Sequence, residues 1–195
     1  MKKIVIATSN KGKLKEYESL LKPLNFEVFS LLDFNDIQII ESGSTFEENA
    51  LIKAQTMSKH TREIILSDDS GLEVSALNNM PGVYSKRFSK EGSDAANNLK
   101  LLEAMQKEVD RSARFVTVIV LLDKDNQKHY FKGTLEGYIH TTQEGSNGFG
   151  YDPLFIPAGY HQTLAELDLS VKNKISHRAK ALRKVIEYLE GIKNE

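Results

Sequence analysis

Lys3-Ile4-Val5-Ile6-Ala7-Thr8-Ser9-Asn10-Lys11-Gly12-Lys13 begins as a β-branched apolar run and breaks off into a polar loop that carries a glycine. A helical pattern follows through Leu14, Tyr17, Leu20 and Leu21, and Pro23 and Asn25 stop it. Phe26 to Leu31 then reads as a second strand. Strand, loop, helix and strand make a βαβ opening, which commits the chain to an α/β class and sets its first loop at a helix N-terminus.

Outward from that opening, Ser44 and Thr45 stand three residues before Glu47 and Glu48, the capping-box signature of a helix expected over Phe46 to Lys59. Ile64 to Leu66 reads as a buried strand and Asn78 to Gly92 as a long loop. Ser93 or Asp94 caps a helix carrying Leu99, Leu102 and Met105. Phe115 to Leu122 and His129 to Thr134 pair as an antiparallel hairpin that turns at Asp125-Asn126. After the glycine-rich Gly145 to Gly150, Ser176 starts a final helix with Leu182, Val185, Ile186 and Leu189 on one stripe. The sheet is mixed.

With 195 residues, 40% of them apolar, and no linker or internal repeat, the chain reads as a single domain over 1–195, able to form two lobes across a cleft. Twenty-six basic residues balance 27 acidic ones, so the net charge of -1 gives no general attraction to nucleic acid. The apolar start is too short for a signal peptide and no window spans a bilayer, so no membrane is expected and a soluble, cytoplasmic protein is. The absence of cysteine excludes disulfides, thiolate nucleophiles and cysteine-held zinc or iron-sulfur centres.

Four stretches carry chemistry. The first is Leu66-Ser67-Asp68-Asp69-Ser70-Gly71-Leu72, two adjacent carboxylates directly after an apolar run. They read either as a polar turn or as a divalent-metal site, since adjacent buried acids need a cation or a donor cluster. The second is Thr8 to Lys13, with Ser9, Asn10, Lys11 and Gly12 between. Taken alone it reads first as an N-capped helix with solvated lysines, and it also suits a phosphate at a helix N-terminus; Ala7 and Leu14 stand where a Walker A loop needs a glycine and a hydroxyl. Beside these stretches, on the helix expected over Phe46 to Lys59, Lys53 interrupts the apolar face of Phe46, Ala50, Ala54 and Met57, so it either snorkels to water or pairs with carboxylates or phosphates, with Glu41 in the preceding turn as a third acid.

The third stretch is Gly145-Ser146-Asn147-Gly148-Phe149-Gly150-Tyr151-Asp152-Pro153, in which glycines surround an aromatic ring. It offers a stacking platform with an aimed carboxylate, or a hairpin turn anchored by a core phenylalanine. The fourth is Lys172 with Ser176-His177-Arg178. Two potential cations in the first turn of a helix oppose its dipole, which favours an anion there. A metal site, several cations and an aromatic platform together make the parts of an enzyme acting on a nucleoside polyphosphate.

These segments, with Thr45-Phe46-Glu47-Glu48-Asn49-Ala50, Lys53-Ala54 and Pro81-Gly82-Val83-Tyr84-Ser85, resemble in order the inosine triphosphate pyrophosphatase family, in particular its bacterial XTP/dITP diphosphatase branch. The resemblance covers nearly the whole chain. Ala179, Ser146-Asn147 and Ile40 depart from it. It implies a two-lobed fold with a central mixed β-sheet flanked by helices, a nucleotide cleft between the lobes, Mg2+ dependence and a homodimer. It further implies hydrolysis of noncanonical purine nucleoside triphosphates (XTP, ITP, dITP) to the monophosphate and pyrophosphate. By that analogy Asp69 is the proton acceptor and a metal ligand, with Glu41 and Asp68 as accessory carboxylates. Thr8 to Lys13, Ser70, Phe149, Gly150, Tyr151, Asp152, Lys172, His177 and Arg178 contact substrate. Lys13, Lys53 and Lys172 balance phosphate charge, and His177 and Arg178 offer donors to a 6-oxo group. Other readings of the same residues are a nucleotide-binding module without chemistry and a less selective nucleotide phosphatase; an RNA-binding protein fits the balanced charge poorly.

Overall fold

Residue alternation along the first strand assigns the helices to the two faces of the sheet. In β1 (Lys2–Ile6), Ile4 and Ile6 pack with Tyr17 and Leu21 of α1 (Lys11–Leu21) and with Leu182, Val185 and Leu189 of α5 (His177–Gly191). Val5, pointing the other way, packs with Ala50, Ala54 and Met57 of α2 (Phe46–Met57). The computed structural model describes residues 2–34 and 37–191. Among them, β1, β2 (Phe26–Ser30), β3 (Ile64–Val74), β4 (Ser112–Leu122), β5 (Lys128–Ile139) and β6 (Phe155–Pro157) form one sheet in the order β2-β1-β3-β4-β5-β6. β1 runs parallel to β2 (Val5 opposite Phe29) and to β3 (Val5 opposite Ile65), whereas β5 and β6 are antiparallel, so the sheet is mixed as expected. No helix of the described residues is long and apolar enough to cross a membrane.

The chain folds into two compact units. One consists of residues up to Asp69, Thr117–Gly133 and the segment from Arg178 onward; the other of Ser70–Val116 and Thr134–His177. The first contains the two cores just described. In the second, Leu72, Val74, Phe115, Leu135 and Phe155 enclose Leu101 and Met105, contributed by α3 (Asp94–Ala104) and the residue after it. α4 (Leu169–Ile175), a short helix that carries Lys172, belongs to this unit.

Local signals account for most boundaries. The capping box forms between Thr45 and Glu48, and α2 ends at Met57, short of the expected Lys59. Its predicted stripe of Phe46, Ala50, Lys53, Ala54 and Met57 is buried in full. Two expectations are corrected. Asp68-Asp69-Ser70-Gly71 is not a turn: β3 runs unbroken through it, because Leu66, Leu72 and Val74 keep one parity along a strand whose middle is charged. The buried face of α3 is set by Asn97, Asn98 and Leu101, while Leu99 is exposed. Leu102 and Met105 pack on the core as expected, and polar residues take the rest of the inward face: Asn97 accepts the Ser89 N–H at 2.7 Å and donates to the Lys86 carbonyl at 3.1 Å.

Leu66 is fully buried in the core that α1 and α5 cover. Leu66→Ala should cost about 2–5 kcal/mol, as transfer and cavity costs combine, measured as a lower urea midpoint with an unchanged slope.

Candidate active site

Strand geometry separates the two adjacent carboxylates. Asp68 shares the parity of Leu66 and points toward α1 and α5; Asp69 shares that of Ile65 and points toward α2. On the first face Asp68 Oδ2 meets Lys13 Nζ at 2.9 Å and Arg178 Nε at 3.4 Å, and Thr117 Oγ1 lies 3.4 Å away. Arg178 Nη1 also donates to Glu16 Oε2. Glu16 was not singled out from the sequence, although it lies three residues after Lys13 and beside Tyr17, on the buried side of α1.

Lys13 reaches Asp68 from the first turn of α1, which Asn10 caps by accepting the N–H groups of Gly12 at 2.9 Å and Lys13 at 3.1 Å. The two backbone donors that a phosphate would use are thus held by the Asn10 side chain, as in an N-capped helix. Thr8 is buried and its Oγ1 accepts the Asn10 N–H at 3.1 Å, while Ser9 and Lys11 are exposed. Burial pushes the Lys13 ammonium below the usual lysine range; Asp68 opposes that shift, and Lys53 and Arg178 add to it.

On the opposite face Asp69 Oδ2 accepts from Asn49 Nδ2 at 3.0 Å, and Asp69 Oδ1 lies 3.7 Å from Lys53 Nζ, which binds Glu41 Oε1 at 2.7 Å. Lys53 does not snorkel; it joins two carboxylates. The Asn49 amide has one possible orientation, since its Oδ1 accepts the Gly43 N–H at 2.8 Å. A Cβ on Gly43 would lie 2.7 Å from Glu48 Cβ and 2.8 Å from Asn49 Oδ1, so residue 43 must be glycine for this contact. Asn49 was missed as a functional residue, yet its spacing of four from Lys53 places both on one face of α2. Burial raises the Asp69 carboxyl above its ordinary range; Lys53 and Lys13 oppose the shift, Glu41 adds to it, and the Asn49 hydrogen bond opposes it.

Asp68 and Glu16 pair with Lys13 and Arg178, and Asp69 and Glu41 with Lys53, so these seven side chains sum to one net negative charge. Such an excess next to a buried acid favours a cation.

The second unit holds the remaining predicted residues. Asp152 is turned inward: its Oδ2 accepts the Phe149 N–H at 2.9 Å and Lys172 Nζ at 2.6 Å. The Lys172 ammonium lies 4.5 Å from the centre of the half-buried Phe149 ring. Gly148, at φ +79, makes room for the Asp152 carboxylate, with which a Cβ would collide. Tyr151 is buried, its hydroxyl donates to the Ser85 carbonyl at 2.8 Å, and burial raises its phenol well above the ordinary range, with Asp94 adding to the shift. His177 stacks on Phe115 with ring centres 4.9 Å apart and planes 11° from parallel. Ser70 is half-buried in β3. Thus Arg178, Lys172, Asp152 and Tyr151 each engage protein groups, and Phe149 keeps part of its ring exposed.

Fold and side-chain clusters define an α/β protein whose β3 carries carboxylate-and-lysine centres on both faces. Residues 4–188 match the Ham1 family, and the chain belongs to that family. It is 49% identical to the dITP/XTP pyrophosphatase of Exiguobacterium sp. (97% of this chain, 100% of the relative) and 48% identical to that of Bacillus licheniformis (97% and 99%). Among solved structures it resembles a HAM1 protein from Coxiella burnetii (TM-score 0.89, 42% identity, 98% of this chain and 100% of that one). It also resembles the Staphylococcus aureus Ham1 protein (TM-score 0.87, 41% identity, 97% and 99%).

The raised Asp69 pKa has a consequence for stability. In the metal-free protein the ionised form is disfavoured by folding, so Asp69 costs stability above its folded pKa and costs nothing below its unfolded one. Asp69→Asn should therefore raise the melting temperature at neutral pH, and the gain should vanish as the pH falls through the raised pKa; thermal melts across pH in a chelating buffer measure it.

Proposed function

We propose that this chain hydrolyses noncanonical purine nucleoside triphosphates (dITP, XTP and ITP) to the monophosphate and pyrophosphate. One observation carries the reading: Asp69, a buried carboxylate with a raised pKa, is fixed by Asn49 beside the Glu41–Lys53 pair, in a chain nearly half identical to dITP/XTP pyrophosphatases. A carboxyl raised from its ordinary range is a better proton acceptor near neutral pH than an exposed one.

In this reading Asp69, Lys13 and their partners act on the phosphates, and Phe149 and His177 on the base. Cleavage of a phosphoanhydride requires that charge crowded around phosphorus be neutralised and that water be aligned with the leaving group. Asp69 takes a proton from the attacking water, with Asn49 fixing the direction of its Oδ2. Lys13, a buried ammonium with a depressed pKa, gains from an anion close by, as does the N-terminus of α1 behind it. Asp68 serves this centre indirectly, holding Lys13 in place while Arg178 and Thr117 hold it. Phe149 stacks on the purine. Discrimination against adenine requires a donor at the 6-oxo position, since a buried amino group facing a donor is penalised. His177 is our candidate for it; Arg178, engaged with Glu16 and Asp68, contributes by fixing that network.

The residues present fit a magnesium ion. Glu41 and Asp69 converge on one ammonium and carry a net negative charge, and no group of three acidic or histidine side chains suited to a metal occurs among the described residues. Glu41 and Asp69 would hold the ion, one or two carboxylates being the protein donor set that magnesium commonly takes. When bound there, the ion supplies positive charge to phosphate oxygens. By the family resemblance the enzyme works as a homodimer in the cytoplasm.

Purified protein incubated with magnesium and a panel of nucleoside triphosphates should release pyrophosphate from dITP, XTP and ITP and little from ATP. Asp69→Asn should lower turnover by at least about a thousandfold while nucleotide still binds, on the scale of losing a general base together with a metal ligand. Release of orthophosphate in place of pyrophosphate, or no release from any of the three, would overturn the reading.

A further inference from the structure

Gly150 adjoins Phe149 in the chain, and two side chains of α3 hold it at both of its peptide groups. Asp94 Oδ2 accepts the Gly150 N–H at 2.7 Å, and Asn98 Nδ2 donates to the Gly150 carbonyl at 3.0 Å. Four residues apart on the helix, Asp94 and Asn98 project from one side of it. Gly150 adopts φ +63, and a Cβ there would meet nothing within 4 Å, so the position requires glycine for its left-handed conformation and not for room.

Asn98 is 2% exposed. Its orientation is dictated by the carbonyl it serves, which leaves Oδ1 buried with no hydrogen-bond partner among the described residues. Leucine, of similar size, would avoid that unpaired acceptor but would take the donor from the Gly150 carbonyl, so the amide is kept here for the carbonyl it binds. Asp94 is divided in the same manner: Oδ1 pairs with Lys86 at 3.0 Å and Oδ2 is kept for Gly150. The rest of the loop has anchors of its own, in the Asp152 contact to the Phe149 N–H and the Tyr151 hydroxyl on Ser85. Loss of the α3 contacts should therefore reorient the Phe149–Gly150 peptide without unfolding the loop.

We infer that Asp94 and Asn98 are positioning residues that lock Gly150 and thereby preset the Phe149 ring for stacking on the substrate's purine. The inference rests on the proposed function, in which Phe149 carries the base. Presetting saves the entropy of ordering the loop on binding, so its loss appears in KM and leaves the chemical step largely intact.

The test is steady-state kinetics of the full chain with dITP and magnesium, alongside thermal melts. Asp94→Ala and Asn98→Leu should each raise KM about tenfold with kcat within about twofold, the scale of one hydrogen bond to a charged or buried partner. Asn98→Leu should lower the melting temperature by only the few degrees that one hydrogen bond is worth and stay folded under assay, and Asp94→Asn, which keeps an acceptor oxygen, should recover most of the KM. In a Phe149→Ala background neither substitution should add a further loss. Unchanged KM in both single variants, or an undiminished tenfold loss on top of Phe149→Ala, overturns the inference while Phe149→Ala alone still weakens KM. If Phe149→Ala alone leaves KM unchanged, the assignment of the base to Phe149 fails, and the inference with it.

Discussion

Two carboxylates in sequence on a buried strand are the constraint from which the rest of this structure follows. Asp68 and Asp69 are 1% and 6% exposed, and burial of even one ionised carboxylate costs several kcal/mol unless it is compensated. The pleat of β3 meets the problem by sending them to opposite faces, where each has its own set of partners. One face offers Lys13 and Arg178, and the other offers Asn49 with a lysine shared with Glu41.

That division explains how the helices around β3 are arranged. α1 supplies Lys13 and Glu16, α5 supplies Arg178 in its first turn, and the two helices pack on one apolar cluster, so core formation brings the ion-pair network together. A positive charge at a helix N-terminus is ordinarily unfavourable, and here it is offset by two acids within reach of one guanidinium. On the other face α2 brings Asn49 and Lys53 on the same stripe as Ala50 and Ala54. Together the seven charged side chains of the two faces sum to one net negative charge. A structure that leaves such an excess beside a buried acid gives up stability at the place where an ion and a phosphate would restore it.

Much of this was legible in the sequence. The βαβ opening, the capping box at Thr45 and Glu48, and the lysine interrupting the α2 stripe were all written in local patterns. Less legible was anything in which a polar group took the place of an apolar one. β3 reads as ending at Leu66 because charged and hydroxyl residues fill its middle, and on α3 Leu99 reads as inward where Asn97 and Asn98 hold loops instead. The partners of Arg178 and Lys172 lie 162 and 20 residues away in sequence, and no local rule connects them. Sequence identified the cations correctly as needing anions, but their partners in the fold are Glu16, Asp68 and Asp152.

The central claim, that the adjacent carboxylates have separate duties, is tested most directly by titrating Mn2+ as a paramagnetic stand-in for magnesium into the full chain and its Asp68→Asn and Asp69→Asn variants. Free ion is followed by electron paramagnetic resonance. The account requires Asp69→Asn to abolish tight binding and Asp68→Asn to retain it within about threefold, since a residue held by Lys13 and Arg178 contributes little to the ion. Equal loss in both variants, or a greater loss in Asp68→Asn, would show that the two acids share one ion and would contradict the account.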